Sequence, residues 1–201
     1  LLGFLGDRRV ALGLGRLFRF LDRRRDLLGA CIHRLHGHVH RLFAQRLQLT
    51  LQLRRALLRG EGNALRVLDL GAGAGLPVTP LRLLWPEGSY TMIEKRQKRA
   101  MFLIQACGTL HLKNTDGQAV PAETYFASHA PCDLIVSRAF MPWRELLAFI
   151  DAALLPGGFA VFMMNDPLPP DVPEGWIAHS SKAYSVRGHA RFLWALRRGE
   201  N

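Results

Sequence analysis

"VLDLGAGAGLP", residues 67–77, decides how this chain is read: an apolar run gives way to glycines at 71, 73 and 75 and then to a proline. A buried strand is ending, side chains vanish over several positions, and a helix begins at once. Glycine lets the backbone turn sharply and lets a ligand approach it closely. Pro77 suits the first helical position and Pro80 still falls in the first turn, where the missing N–H would have had no partner. The pattern predicts a helix start whose free amides face a negatively charged group.

The flanking sequence supplies the rest of the frame. "LRVLDL" reads as a buried strand, "PVTPLRLLW" as a short helix and "SYTMIE" as a second strand. Residues 95–110 read as a helix with Ala100, Leu103, Cys107 and Leu110 inward. "CDLIVS" is another strand, "PWRELLAFIDAALL" a helix stopped by "PGG", and "FAVFMM" the strand after it. "HARFLWALRR", following a loop rich in proline, reads as a last, antiparallel strand. Such alternation predicts an α/β fold, a mostly parallel sheet covered by helices on both faces.

The loop also discriminates between ligands. A dinucleotide fingerprint places glycines at its first, third and sixth positions, and counting from Gly71 the sixth is Leu76. Here the spacing is glycine, any, glycine, any, glycine, preceded by Asp69 and followed by Glu94 at the end of the second strand. S-adenosylmethionine enzymes use this arrangement. The helix start receives the amino-acid carboxylate, Asp69 orients the ammonium end, and Glu94 accepts both ribose hydroxyls.

Charge points to the partner. The 201 residues carry a net charge of +11, a bias suited to a polyanion and to nucleic acid before a membrane surface. Residues 1–60 hold thirteen arginines, no lysine and three acids, whereas residues 61–201 hold fourteen basic and thirteen acidic groups. The expected organisation is a basic N-terminal helical extension over 1–60 and a catalytic domain over 61–201. Within the extension, Leu14, Leu17, Phe18 and Leu21 and then Leu28, Ile32, Leu35, Val39 and Leu42 recur at helical spacing. The narrow alphabet fits an arginine-rich RNA-binding arm, a codon-composition bias, or a start read from another frame. His33, His36 and His40 share a helix face, but Gly37 interrupts it and no carboxylate is near, so a basic surface is expected and no metal. Cys31, Cys107 and Cys132 are few and far apart, as reduced packing thiols are. No apolar run approaches a membrane span, and "LLGFLGDRR" is too short for a secretory signal. A cytoplasmic monomer is expected.

"VLDLGAGAGLPVTPL", "IEKRQKRAMFLIQACGTLHLKN", "PAETY", "CDLIVSRAF" and "LLPGGFAVF", in this order, resemble the RsmG (GidB) family of 16S ribosomal RNA guanine-N7 methyltransferases, with "GLP" and "SRAF" the specific parts. The resemblance covers residues 64–163, and "GHARFLWALRR" besides. It implies a Rossmann-like class I methyltransferase that uses S-adenosylmethionine and takes small-subunit ribosomal RNA as substrate. Gly71 and Leu76 would contact the methionine and ribose portion, Ala122 and Glu123 would flank the adenine, and Arg138 would sit between cofactor and substrate. With Asp69, Gly73 and Glu94 these form the cofactor set; Arg138 and Ser137 are the candidates for the reaction itself.

Guanine N7 carries a lone pair and no proton, so transfer needs alignment rather than a general base. Arg138 suits a phosphate or the guanine O6 edge, and Ser137 is either a positioning hydroxyl or an ordinary strand residue. Lys95, Arg96, Lys98 and Arg99 could touch RNA phosphates or form a solvated helix start.

Three departures weaken the substrate inference more than the cofactor one. Pro121 stands where the family has Arg, Met164 and Asn165 stand where it has Lys-Gly, and its Asn-Leu-Thr and His-Asp-Ser motifs are missing from residues 1–60. The alternatives are a divergent methyltransferase for another RNA or a small molecule, and a non-catalytic RNA-binding relative. A dehydrogenase comes last.

Overall fold

The computed structural model describes residues 65–186 and 188–200. The expected helices, histidine face and basic extension of residues 1–60 lie outside them. Seven strands form one sheet in the order β3-β2-β1-β4-β5-β7-β6. Strands β1 (Arg66–Leu70), β2 (Ser89–Ile93), β3 (Thr115–Gln118), β4 (Cys132–Ser137) and β5 (Leu154–Met164) run parallel. β7 (His189–Arg198) is antiparallel to β5 and forms a hairpin with the edge strand β6 (Trp176–Val186).

The winding reverses between β1 and β4. From β1 the chain moves outward through helices α1 (Val78–Leu84) and α2 (Gln97–Leu110); it then returns through α3 (Ala122–Ser128) and α4 (Trp143–Ile150). Alternate residues of each strand serve opposite faces. Val67, Tyr90, Met92, Leu134, Val136 and Val161 pack with Val78 and Leu103 from the α1–α2 layer. Leu68, Leu70, Ile93, Ile135 and Phe162 pack with Leu146, Leu147 and Ile150 of α4 on the other face. The predicted fold class is therefore the one observed, including an antiparallel last strand.

Several boundaries differ from the expected ones. The α4 helix ends at Ile150, and a 3₁₀ turn (Asp151–Ala153) leads into β5, which starts at Leu154 and takes in the "PGG". The strand can begin early because Cys132 pairs with Leu154 and Leu134 with Phe159, an irregularity that absorbs the extra residues. β3, β6 and α3 had no clear sequence signal. The β3 segment "TDGQ" is short and polar, and β6 alternates between exposed and half-buried positions along a sheet edge. Cys107 and Cys132 are buried free thiols pushed up by burial to about 11 and about 12, which makes them packing groups.

Arg82 fastens the helix after the glycine loop to the sheet. It is 4% exposed, donates to the carbonyls of Pro86 (2.6 Å), Glu87 (3.1 Å) and Lys113, and stacks over Tyr90 at 4.8 Å. A planar fork makes these contacts together, and a lysine ammonium cannot. Arg82→Lys is expected to lower the unfolding free energy by about 2 kcal/mol in a denaturant titration; a change within error would show that the fork is not what holds α1.

Candidate functional site

Asp69 sits one residue before the end of β1, in register with Met92 of β2 and Val136 of β4, both of which are buried. Immediately beyond β1, the amides of Gly71 and Ala72 both donate to the Ile93 carbonyl, at 2.9 and 3.2 Å. This fixes the glycine turn against the tip of β2, so that the next residue, Glu94, reaches the turn. Its Oε2 accepts from the Gly73 amide at 3.2 Å, its Oε1 from the Arg96 amide at 2.9 Å, and the Arg99 guanidinium stands 3.9 Å away.

The two carboxyl groups are differently placed. Glu94 is buried but hydrogen-bonded. Asp69 is 1% exposed, and its Oδ2 has no hydrogen-bond partner. Its carboxyl is pushed up to about 8, chiefly by burial, with the Arg138 guanidinium opposing the rise and Glu94 adding to it. A buried carboxyl oxygen left without a donor is costly, so it marks a position where a donor from outside can be received.

The three glycines do different work. All have positive φ (+68° at Gly71, +59° at Gly73, +78° at Gly75), where a β-carbon is disfavoured. A Cβ on Gly75 would come within 2.5 Å of Thr79 Oγ1, and one on Gly71 within 3.0 Å of the Phe140 ring, so both are held by packing. At Gly73 a Cβ would meet only the Gly71 carbonyl oxygen, at 3.8 Å; the space above it is clear. The loop thus presents a bare backbone toward the two carboxyl groups.

The amides at the helix start are partly spent. Thr79 donates to the Gly75 carbonyl (2.8 Å) and Gly75 to that of Ala72 (2.9 Å). Among the described residues, no backbone oxygen accepts from Ala74 or Leu76. The expected helix start with free amides therefore holds only in part: Thr79 is spent, Val78 has no backbone acceptor among the described residues, further open donors lie in the loop, and Pro77 is the N-cap rather than the first helical residue.

On the other side of β1, β4 ends at Ser137, which is buried and turns its hydroxyl toward the Leu70 carbonyl at 3.5 Å. Arg138 follows, exposed at the crevice. A cavity of about 410 Å³ opens beside it, lined by Ser137, Arg138, Phe140, Trp143, Asn165 and Arg191 among others. Leu76 is half-buried in the loop. Ala122 is buried in the core, and the exposed Glu123 lines a second cavity, of about 340 Å³, with Tyr125, Phe126 and Phe149. The structure therefore brings Asp69, Gly71, Gly73 and Glu94 together, with Ser137 and Arg138 across the strand boundary.

A family model described as rRNA small subunit methyltransferase G matches residues 35–167. The chain belongs to this family. The ribosomal RNA small subunit methyltransferase G of Nitratidesulfovibrio vulgaris is 51% identical over 131 residues, which are 65% of this chain and 60% of that protein. The chain thus spans less than two thirds of that relative's length. Among solved structures, a putative methyltransferase, yhhF from Escherichia coli, superposes with a TM-score of 0.56 at 19% identity, covering 76% of this chain and 87% of that one. The cofactor-bound Rv0187 from MTB gives 0.57 at 19% identity, with 78% and 81% covered. At these identities the likeness shows the fold: a class I methyltransferase fold, as topology and register already indicate. The family match also reaches back to residue 35, ahead of the stretch that carried the resemblance.

Four groups that line the larger cavity, Phe140, Trp143, Tyr184 and Arg191, carried no site signal in the sequence. Phe140 lay inside the quoted "SRAF" and Arg191 inside "HARFLWALRR"; what was absent was the β6–β7 hairpin that brings Tyr184 and Arg191 to the end of β5.

An unpartnered Asp69 costs stability in a pH-dependent way. Its carboxyl ionises near 3.8 in the unfolded chain and near 8 in the folded one, so the folded state keeps the proton and its contribution to stability declines as pH rises through that window. Asp69→Asn is expected to flatten this decline, leaving the variant at least as stable as the parent at pH 8. Unfolding free energies measured from pH 5 to pH 8 check this; a variant with the parent's slope would refute it.

Proposed function

We propose that this chain transfers a methyl group from S-adenosylmethionine to guanine N7 in small-subunit ribosomal RNA. The observation that carries the reading is the unpartnered Asp69 oxygen beside Glu94 under a glycine backbone, with a separate cavity opening across the β1–β4 boundary. Open parallel sheets bind ligands where the strand order reverses. Family membership, and the name of the relative at 51% identity, support the same activity.

The residues fit the cofactor. Asp69 offers a buried acceptor for an ammonium, Glu94 a carboxylate for vicinal hydroxyls, and the loop around Gly71, Gly73 and Leu76 a surface without side-chain obstruction at Gly73. Ala122 and Glu123 lie on the first turn of α3, beyond the tip of β3, and flank the adenine in this reading. When bound, the cofactor supplies an electrophilic methyl on a sulfonium. The protein's task is to hold the acceptor in line, since N7 has a free lone pair and no proton to lose. Arg138 steadies a phosphate or the guanine O6 edge, and Ser137 ties the end of β4 to β1 beneath it.

Residues 61–201 serve as the methyltransferase domain and residues 1–60 as its basic extension, in a cytoplasmic monomer that takes ribosomal RNA as its partner. Among the described residues, no helix is long and apolar enough to cross a membrane, and no cluster of His, Cys, Asp or Glu could hold a metal ion.

Calorimetry with S-adenosylmethionine or S-adenosylhomocysteine is expected to show one site; its absence would remove the enzyme reading and leave an RNA-binding relative. With binding in hand, methyl transfer to 30S subunits, naked ribosomal RNA and transfer RNA identifies the substrate, and the small-subunit RNA is expected to be methylated. Methylation of transfer RNA alone would favour another RNA, as Pro121, Met164 and Asn165 in place of the family's residues would allow. Arg138→Ala is expected to reduce transfer on the order of 100-fold with the melting temperature unchanged; full activity would refute its role.

A further inference from the structure

The turn that follows β4 contains a residue with no role so far. Ala139 has φ +55°, left-handed backbone that a β-carbon disfavours and that persists only where the surroundings hold it. On one side of it Arg138 is exposed, and on the other Phe140 lies over the glycine loop. The Phe140 ring lies so close to Gly71 that a β-carbon there would stand 3.0 Å from Cδ2. The same side chain lines the 410 Å³ cavity that opens beside Arg138.

Phe140 is also backed. Its ring centroid is 5.9 Å from that of Phe149 on α4, which in turn lies 5.3 Å from Phe126 on α3. Three aromatic rings therefore run from the helix layer to the glycine turn, and the last of them borders both the loop and the cavity.

We propose that Phe140 is a positioning residue: the fixed partition between the cofactor loop and the acceptor cavity, whose ring sets how closely a purine in the cavity approaches the donor beside Gly71. This rests on the reading of the site given above. Its chemistry is steric. In-line transfer depends on near-contact alignment of nucleophile and electrophile, and a displacement of about 1 Å costs about 100-fold in rate. A wall shared by both pockets controls that distance without holding either ligand by itself.

The test compares Phe140→Ala, Phe140→Leu and Phe140→Tyr with the parent in three measurements: S-adenosylhomocysteine affinity by calorimetry, melting temperature, and kcat and KM for methyl transfer to small-subunit RNA. For Phe140→Ala, kcat is expected to fall about 100-fold, with the dissociation constant and the KM for RNA each within about threefold of the parent's. Phe140→Leu should fall between, and Phe140→Tyr, which keeps the ring, should restore most of the rate. A kcat within threefold of the parent's in Phe140→Ala would overturn the proposal. So would a loss carried wholly by KM or by cofactor affinity, or a rate that follows melting temperature across the three variants. Failure of the underlying reading is distinguishable, because it appears in the unmutated protein as absence of cofactor binding.

Discussion

Two amides, those of Gly71 and Ala72, converge on one carbonyl oxygen, that of Ile93. The pair of hydrogen bonds closes the end of β1 onto the end of β2, and everything at the site follows from it. Leu70 is in register with Ile93 and Asp69 with Met92, so the residue after Ile93 meets the turn rather than the strand. That residue is Glu94, whose carboxyl caps the Gly73 amide. A slip of one residue in the β1–β2 register would turn the strand faces over and separate the two acids. The apolar faces oppose such a slip: Val67, Tyr90 and Met92 belong to one core and Leu68, Leu70 and Ile93 to the other. Register at the site is thus enforced by burial on both faces of the strands that carry it.

The other half of the site comes from the reversal of winding. With α1 and α2 on one face and α3 and α4 on the other, no connection between the described elements crosses the tips of β1 and β4, and a crevice remains there. The acceptor side is built from elements distant in sequence. The segment after β5 is fastened by Trp194, whose indole N–H donates to the Asp166 carbonyl at 3.0 Å and whose ring meets Trp143 edge to face at 5.5 Å. β7 therefore does more than finish the sheet: through Trp194 it fixes both the loop beyond β5 and the first residue of α4.

Legibility in the sequence followed burial. β1, β2 and β4 are mostly buried, and their ends could be read to within a residue from "LRVLDL", "SYTMIE" and "CDLIVS". The spacing of Asp69, the glycines and Glu94 was equally readable, because each depends on a local turn. β3 and β6 were not: as edges they bury little, so their residues carry no strong period. Phe140 was hidden for another reason. Its contact with Gly71 links positions 69 residues apart, and the left-handed backbone that creates it falls on an alanine, a residue that gives no turn signal. Which amides stay open was hidden for a related reason. Composition shows that a helix starts after the glycines, but only coordinates show that Thr79 has already taken the Gly75 carbonyl.

The character of the acceptor cavity bears on how the proposed substrate is held. Besides Arg138 and Arg191, its walls include Met141, Met163 and Met164 with Trp143, soft and aromatic surfaces that suit the faces of a base better than a phosphate chain. Phosphate contacts supply most of the affinity for nucleic acid, whereas contacts to the base supply identity. A cavity with two arginines among mostly uncharged walls can orient one nucleotide but gives limited grip on a long polyanion. The charge for that grip lies elsewhere in the chain: thirteen of the twenty-seven basic residues fall within residues 1–60, against three acids. In this reading methyl transfer and RNA retention are separate tasks of separate segments. The salt dependence of RNA binding then belongs to the arginine-rich segment, and the choice of base to the turn after β4 and the hairpin beside it.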